Sequence, residues 1–249
     1  GEATFKSDSM GLLVDGEVTS IISSSHGIYF RSTSYIFRYH QDILSVIKPT
    51  GNSPRPFDVI MTVNDTVYTH IREVGLATIY DGQLTLIDDV EFDLKTNVFL
   101  PHPRGVLIGT RYDGLYLLTG KRLSRFVSDA DSIFKENHIY HGVLLKDGNY
   151  ALATLGGGVL VLNSEGNIIY RIDGENYGLL NQSVNYVYED LTQGLWLGLP
   201  SGLKFIDKQS PVKHYKFDVL EGYTDFALFD GRIYFGTDKG VYSCDEDGK

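Results

Sequence analysis

The sequence predicts an all-β protein built from about six copies of one four-stranded unit. A short alternating strand, a tight turn and a second strand recur along the 249 residues, most clearly in the segments 104–118, 194–206 and 231–242. The glycines that open the second strand of these hairpins are 39, 44, 44 and 38 residues apart: Gly75, Gly114, Gly158, Gly202 and Gly240. A period near 40 residues with strand–turn–strand content is typical of the blades of a β-propeller.

The residue types suit short strands joined by tight turns. The chain has 17 tyrosines, 13 phenylalanines and 27 glycines, a composition that favours strands and turns. Asp81-Gly82 and Asp147-Gly148 are strong hairpin signals, because glycine readily adopts the positive φ that such turns need. No stretch has sustained helical periodicity, so we expect few helices.

Alternation along the strands predicts which side chains lie between blades. Val106 and Ile108 share one face of their strand, as do Leu195 and Leu197, and we expect them to pack on a neighbouring blade. We also expect the single tryptophan and its counterparts in other repeats to pack between adjacent blades: Trp196, Leu107, Tyr150 and Tyr234.

The repeats are predicted to form one domain. They occupy about residues 17–56, 57–95, 96–136, 137–180, 181–220 and 221–249. The sixth repeat stops near Cys244 without a fourth strand. Since an open blade would expose unpaired backbone groups, we expect residues 3–7 to complete it and close the ring. The alternative is that the chain forms part of a seven-bladed propeller.

Composition restricts the classes of partner. The formal net charge of −10 argues against nucleic acid and against an anionic membrane surface, because both need clustered Lys and Arg. Cys244 is the only cysteine, so no disulfide can form within the chain. No apolar run approaches the roughly 20 residues that span a bilayer. We expect the chain to be a segment of a longer protein, so the absence of a targeting signal says little about where the protein is located.

The fifth repeat carries a recognisable signature. Asp190, Gly194, Trp196, Gly198 and Gly202 fall on the pattern of a conserved aspartate followed by "G-x-aliphatic-W-aliphatic-G-T-x-x-G-L". Further positions of that pattern occur in the third and sixth repeats: Gly105, Gly109, Thr110, Gly114, Leu115, Gly231, Gly236, Thr237 and Gly240. These motifs resemble the two-component regulator propeller repeats of bacterial sensors. The sequence departs from the pattern at Leu199-Pro200, where the family favours threonine.

The resemblance implies a function in signal transduction. It implies a non-catalytic, ligand-sensing module that is periplasmic or otherwise extracytoplasmic, within a membrane protein that also carries an output domain. The expected ligand is a small molecule or an oligosaccharide, and self-association as a sensor dimer is a further expectation. Contact with the membrane would come only through a segment outside this chain, and no cofactor is expected.

Two other function classes remain open. Propeller enzymes of the lyase or lactonase type draw metal ligands or a general base from several blades. Here the histidines are scattered, and the close pair His138 and His141 would point to opposite faces of a strand. No G-x-S-x-G or calcium-loop motif is present, so we expect no catalytic residue and no metal. A protein-interaction scaffold is the third class, although the recurring Trp-Asp ends of WD repeats are missing.

The predicted ligand site lies in the turns between the hairpin strands. These turns share one face of a propeller with the connections between successive blades. Arg111, Tyr112 and Asp113 offer a guanidinium fork, an aromatic platform and a carboxylate in a single turn. Arg72 and Lys239 occupy the corresponding turns of two other repeats, and we expect these five residues to contact the ligand.

Overall fold

The computed structural model describes residues 17–49, 53, 55–87, 94–179, 182–207, 223–230, 232–237 and 240–244. These residues form twenty-two strands and two short helices. The first twelve strands are β1 (Ser20–Ser24), β2 (Gly27–Arg31), β3 (Ile36–His40), β4 (Ile43–Ile47), β5 (Phe57–Val63), β6 (Thr66–Ile71), β7 (Gly75–Tyr80), β8 (Gln83–Leu86), β9 (Thr96–His102), β10 (Gly105–Thr110), β11 (Leu115–Thr119) and β12 (Arg122–Phe126). The remaining elements are α1 (Asp131–Asn137), β13 (Ile139–Leu144), β14 (Tyr150–Thr154), β15 (Val159–Leu162), β16 (Ile168–Ile172), α2 (Gly174–Tyr177), β17 (Tyr186–Glu189), β18 (Leu195–Leu199), β19 (Gly202–Ile206), β20 (Tyr223–Phe229), β21 (Arg232–Thr237) and β22 (Gly240–Cys244).

The strands form a series of antiparallel meanders. Strands β1–β4, β5–β8, β9–β12 and β13–β16 each make a four-stranded sheet, whereas β17–β19 and β20–β22 make sheets of three strands. The first strands of consecutive sheets contact one another, β1 with β5, β5 with β9, β9 with β13 and β13 with β17. Five sheets therefore follow one another around a common axis, with their first strands innermost.

The predicted all-β propeller is confirmed, but the prediction of six four-stranded blades is wrong. In the part of the chain that the structure describes, four sheets have four strands, two have three, and no seventh sheet occurs. The predicted closing strand at residues 3–7 lies outside the described residues, as do residues 208–222 and 245–249, which follow the two three-stranded sheets.

Each pair of neighbouring blades encloses its own hydrophobic core. Tyr29 and Ile36 of the first sheet pack with Phe57 and Val67 of the second. The corresponding cores between later sheets follow the same pattern: Val63, Leu76, Val106 and Ile108; Leu107, Leu115, Tyr150 and Leu152; Val159, Val161, Leu195 and Leu197. Full burial of one such side chain contributes about 1.5–3 kcal/mol. The packing predicted for Val106, Ile108, Leu195, Leu197, Leu107 and Tyr150 is confirmed.

The turns follow the glycine and aspartate signals of the sequence. Asp81 and Gly82 both have positive φ, at 45° and 79°, and join β7 to β8 as a two-residue hairpin loop. Gly158, which precedes β15, has φ 73°, and a Cβ there would lie 2.1 Å from the carbonyl oxygen of Ile172. Only glycine avoids both the backbone strain and this clash at position 158. Positive φ recurs at the glycines that open the third strands of four other blades: Gly75, Gly114, Gly202 and Gly240.

Both helices lie in connections between blades. Helix α1 joins the third sheet to the fourth, and its Phe134 is fully buried in the core between them. Helix α2 has only four residues and follows the fourth sheet. In the described ranges, no helix has the length and apolar character needed to cross a bilayer.

Candidate functional site

One face of the propeller collects the turns that follow the second strand of each blade. The backbone N–H of Arg72 donates to the carbonyl of Pro56 at 2.8 Å, and that of Arg111 donates to the carbonyl of Lys95 at 2.8 Å. Each bond ties the turn to the connection that leads into its own blade. Arg72 and Arg111 therefore occupy equivalent positions in the second and third blades, on the predicted face.

A threonine hydroxyl fixes the shape of these turns. Thr110 Oγ1 donates to the carbonyl of Gly114 at 2.9 Å and accepts the N–H of Asp113 at 3.0 Å. Thr154 repeats the arrangement in the fourth blade, with bonds of 2.9 Å to Gly158 and from Gly157. Because the hydroxyl satisfies turn N–H and C=O groups, the residues Arg111 to Asp113 are held on a rigid loop.

Asp58 is the buried centre of the candidate site. Its carboxylate lies 2.7 Å from Nδ1 of His70 and accepts the Nε–H of Arg72 at 2.5 Å. The side chains of Asp58 and His70 are each only 1% exposed. Burial acts to raise the pKa of Asp58, but the hydrogen bonds from His70 and Arg72 hold it below its usual value. Asp58 is therefore ionised at neutral pH.

Four cationic side chains lie on this part of the propeller face. We call Arg31, Arg72, Lys95 and Arg111 the cationic cluster. Burial lowers the pKa of Lys95, and the nearby charges of Arg111 and Arg72 lower it further. Burial also lowers the pKa of Arg31, where Asp58 opposes and Arg72 adds to the effect. Arg31, Arg72 and Lys95 thus interact electrostatically with Asp58. Arg111 joins them through Lys95, with which it interacts and whose carbonyl accepts its backbone N–H.

Most of the cationic cluster lacks a carboxylate partner in the described part of the chain. Arg31 donates from Nη1 to the carbonyl of Phe57 at 3.1 Å, whereas its Nε is buried without a hydrogen-bond partner. The Nε of Arg111 is likewise buried and unpartnered. Buried donors without acceptors are uncommon in folded proteins and call for a physical explanation.

Tyrosine rings support Arg111. Its guanidinium carbon lies 5.5 Å from the ring centre of Tyr112 and 5.9 Å from that of Tyr140. The ring of Tyr112 makes an edge contact with His138 at 4.8 Å. Tyr112 and Tyr140 remain 54% and 40% exposed. The site thus presents aromatic faces beside a cluster of positive charge, an arrangement suited to binding a flat or ring-shaped anion.

The structure separates the residues that the sequence predicted together. Arg72 and Arg111 belong to the cationic cluster, and Tyr112 lies beside it. Asp113 instead accepts Nη1 of Arg125 at 2.8 Å and the hydroxyl of Tyr116 within its own sheet. Lys239 lies outside the described residues.

Sequence reasoning missed Arg31, Asp58, His70, Lys95 and Tyr140. An alignment of the repeats could have pointed to Arg31, because the three arginines share one place at the end of a second strand. Arg31 is the last residue of β2, and Arg72 and Arg111 directly follow β6 and β10. Asp58, Lys95 and Tyr140 lie at the starts of first strands, which the sequence marks only as apolar runs. His70 lies near the end of the second strand β6.

A second feature lies on the propeller axis. The first strands of five sheets enclose a hollow of about 430 Å³, lined by Ile22, Met61, Phe99, His141 and Tyr186 among others. The His141 ring lies 4.0 Å from that of Tyr186, and burial lowers the pKa of His141 to about 4. His141 is therefore neutral at pH 7, and the hollow is mainly apolar. In the described residues, no three His, Cys, Asp or Glu side chains form a group that could hold a metal.

Radial four-stranded meanders around a common axis define the architecture. The fold is a β-propeller. It is similar to the extracellular domain of BT4673 from B. thetaiotaomicron, described as a one-component system, with 16% identity and a TM-score of 0.61 over 94% of this chain and 34% of that one. It is also similar to the extracellular domain of BT3049 from the same organism, described as a hybrid two-component system, with 20% identity and a TM-score of 0.62 over 94% and 33%.

The propeller also resembles a protein of another class. The WD40 propeller domain of Doa1 matches with 14% identity and a TM-score of 0.61, covering 79% of this chain and 65% of that one. This chain spans about a third of the length of the two bacterial domains. No family model matches the sequence, and no curated protein matches it.

The signature residues of the fifth blade stabilise a turn of the propeller. Asp190 Oδ1 accepts the N–H groups of Thr192 and Gly194 at 2.8 and 3.0 Å, and its Oδ2 accepts Nε1 of Trp196 at 3.0 Å. Trp196 packs on Phe205 at 4.9 Å and is 41% exposed. The prediction that Trp196 is buried between blades is wrong, because it lies on the face of its sheet opposite Leu195 and Leu197.

Proposed function

We propose that this chain is the extracytoplasmic, ligand-sensing propeller of a bacterial signal-transduction or transcription-regulating protein. The observation that carries the proposal is the cationic cluster, in which the Nε groups of Arg31 and Arg111 are buried without an acceptor. Its arginines come from the ends of second strands, or the turns just after them, in three consecutive blades. Residues drawn from several repeats onto a rigid face are the usual basis of a propeller binding site. Arg72, Arg111 and Tyr112 are the proposed ligand contacts, together with Arg31, Lys95 and Tyr140.

The structural neighbours support a regulatory role. Two of them are extracellular domains of proteins described as one-component and hybrid two-component systems. This chain spans about a third of the length of those extracellular domains. We propose that, as the resemblance implies, a membrane segment and an output domain belong to other parts of the protein. Dimerisation would then couple the sensor to its output. The proposed ligand is a small molecule or an oligosaccharide.

We further propose that the module binds its ligand without transforming it. The cationic cluster provides charge and hydrogen-bond donors, and its single carboxylate, Asp58, is already engaged by His70 and Arg72. A general base needs a free lone pair within reach of the proton that it removes. The site therefore offers recognition and no evident proton acceptor.

Binding and turnover can be tested together. The purified chain is screened against neutral and acidic sugars and small organic acids by thermal shift, and each hit is measured by calorimetric titration. The proposal predicts at least one saturable ligand whose NMR spectrum is unchanged after long incubation with the protein. Accumulation of a product would favour the lyase or lactonase alternative, and the absence of any ligand would contradict a sensing role.

A further inference from the structure

The cationic cluster carries more positive charge than the described residues balance. Arg31, Arg72 and Lys95 share one ionised carboxylate, Asp58, and Arg111 lies beside Lys95, in a chain whose net charge is −10. Concentrating like charges in a partly buried site costs free energy, because desolvation and mutual repulsion both disfavour the charged forms. The pKa values of Arg31 and Lys95 are lowered for this reason, first by burial and then by the neighbouring cations.

Asp58 cannot balance the whole cluster. One of its oxygens accepts the Nε–H of Arg72 at 2.5 Å, and the other lies 2.7 Å from His70 Nδ1 and 3.4 Å from the N–H of Thr96. The carboxylate is thus occupied by neighbours on its own blade and by the start of the next. Arg31, Lys95 and Arg111 keep no ion-pair partner in the described part of the chain.

We infer that the cationic cluster binds an oxyanion, a carboxylate, sulfate or phosphate group, on the ligand of this module. The inference rests on the proposed sensing function and names the chemistry that its site recognises. The buried Nε groups of Arg31 and Arg111 lack acceptors, and an oxyanion supplies them. Arginine binds planar and tetrahedral oxyanions through parallel N–H donors, which gives strength and orientation.

The tyrosines beside Arg111 indicate what the oxyanion is attached to. Tyr112 and Tyr140 lie at 5.5 and 5.9 Å from the guanidinium carbon and are both partly exposed. They fix the guanidinium plane, so less freedom is lost when it binds, and they leave aromatic surface for the body of the ligand. A sugar or other compact ring bearing one anionic group matches this arrangement.

Arg104 provides a matched control on the same strand. Arg104 and Arg111 flank β10, so they lie about 20 Å apart at opposite ends of the blade. Both contact an aromatic ring, Arg104 through Phe126 at 5.9 Å. Arg104 has no buried unpartnered nitrogen. Its replacement removes the same charge from the protein without touching the cationic cluster.

The test uses four ligands that share one pyranose ring. Glucose, glucuronate, glucose 6-phosphate and glucose 6-sulfate are titrated calorimetrically against the wild-type chain and the variants Arg111→Gln and Arg104→Gln. We expect the anionic members to bind at least about tenfold more tightly than glucose, and Arg111→Gln to weaken them by about ten- to a hundredfold. Arg104→Gln should bind like the wild type. Raising the salt concentration should weaken binding, since the site is partly open.

Each outcome separates the two proposals. Preference for one anion identifies the oxyanion as a carboxylate, a phosphate or a sulfate. If glucose binds as tightly as the anions, or Arg111→Gln binds them normally while its thermal unfolding is unchanged, the oxyanion inference is wrong although sensing stands. If a neutral ligand from the wider screen binds and no anion does, the oxyanion inference is wrong although sensing stands. Failure of all ligands contradicts the proposed function itself.

Discussion

Replacing Asp58 by asparagine tests whether one carboxylate holds the cationic cluster together. The wild-type carboxylate accepts short hydrogen bonds from His70 and Arg72 in a site where its side chain is 1% exposed. An amide can accept from one of these neighbours but turns its own N–H₂ group towards the other. The variant also leaves four cations without any ionised partner at the centre.

The expected loss of stability is about 3 kcal/mol. Removing one partner of a buried pair typically costs about 3–5 kcal/mol, and the lower end applies because Arg72 is 37% exposed and can rehydrate. For a chain of this size each kcal/mol lowers Tm by about 2–4 °C, so Asp58→Asn should melt about 6–12 °C below the wild type at pH 7. Circular dichroism on heating, and urea unfolding at 25 °C, both measure the difference.

The difference should depend on pH in a defined direction. The folded state holds the pKa of Asp58 below the usual carboxyl value, so its stabilisation is complete above about pH 4 and is lost as the pH falls through the lower folded pKa. Wild type and variant should therefore converge once the pH lies below the folded pKa of Asp58. Asp81→Asn is the control: its ion pair with Arg38 measures 2.5 Å but Asp81 is 65% exposed, so it should cost less than about 1 kcal/mol. Two results would contradict this explanation: an Asp58→Asn protein as stable as Asp81→Asn at pH 7, or a stability difference that does not shrink as the pH is lowered.

Three other predictions follow from the packing. Leu107→Ala should lower the free energy of unfolding by about 2–5 kcal/mol, because Leu107 is 1% exposed between blades. Trp196→Ala should lower it by less than about 2 kcal/mol, because Trp196 is 41% exposed. Equal losses of stability in urea unfolding would contradict the assignment of faces. Gly158→Ala should destabilise by more than about 2 kcal/mol, while Gly120→Ala, with φ 60° and no atom within 4 Å of its Cβ, should cost about 1 kcal/mol of backbone strain in the same assay. His141 has a folded pKa of about 4, below its usual value of about 6.5. Its contribution to stability is therefore complete above pH 6.5 and falls as the pH drops towards 4. His141→Gln should flatten that part of the pH–Tm curve, and an unchanged slope would show that His141 titrates normally.

The sequence predicted the local features well because they are decided within a few residues. Asp81-Gly82 forms the expected hairpin, and Gly158 holds the positive φ that its turn requires. Both follow from backbone sterics alone. The period of these turns then predicts a propeller, since a short meander repeated every 40 residues has few other ways to bury its faces.

The candidate site was predictable only in part, because it depends on how separate blades are placed. Arg111 stood out by its turn composition. Arg31 and Asp58 come from the first and second blades, and they approach Lys95 and Arg111 of the third only when the sheets are arranged around the axis. The prediction that Trp196 packs between blades was wrong for a related reason. Alternation separates the two faces of a strand, but it does not tell which face is covered by a neighbouring blade.

Binding of the ligand at the cationic cluster can be observed through the NMR chemical shifts of the arginine side chains. Spectra of the Nε–Hε groups are recorded while glucuronate is titrated into the chain, with assignments from single Arg→Gln variants. We expect the signals of Arg31 and Arg111, whose Nε atoms are buried and unpartnered, to shift together along one saturating curve. The signal of Arg104, at the other end of β10, should stay fixed. Shifts at Arg104 with none at Arg31 and Arg111 would place the ligand on the opposite face and contradict the account.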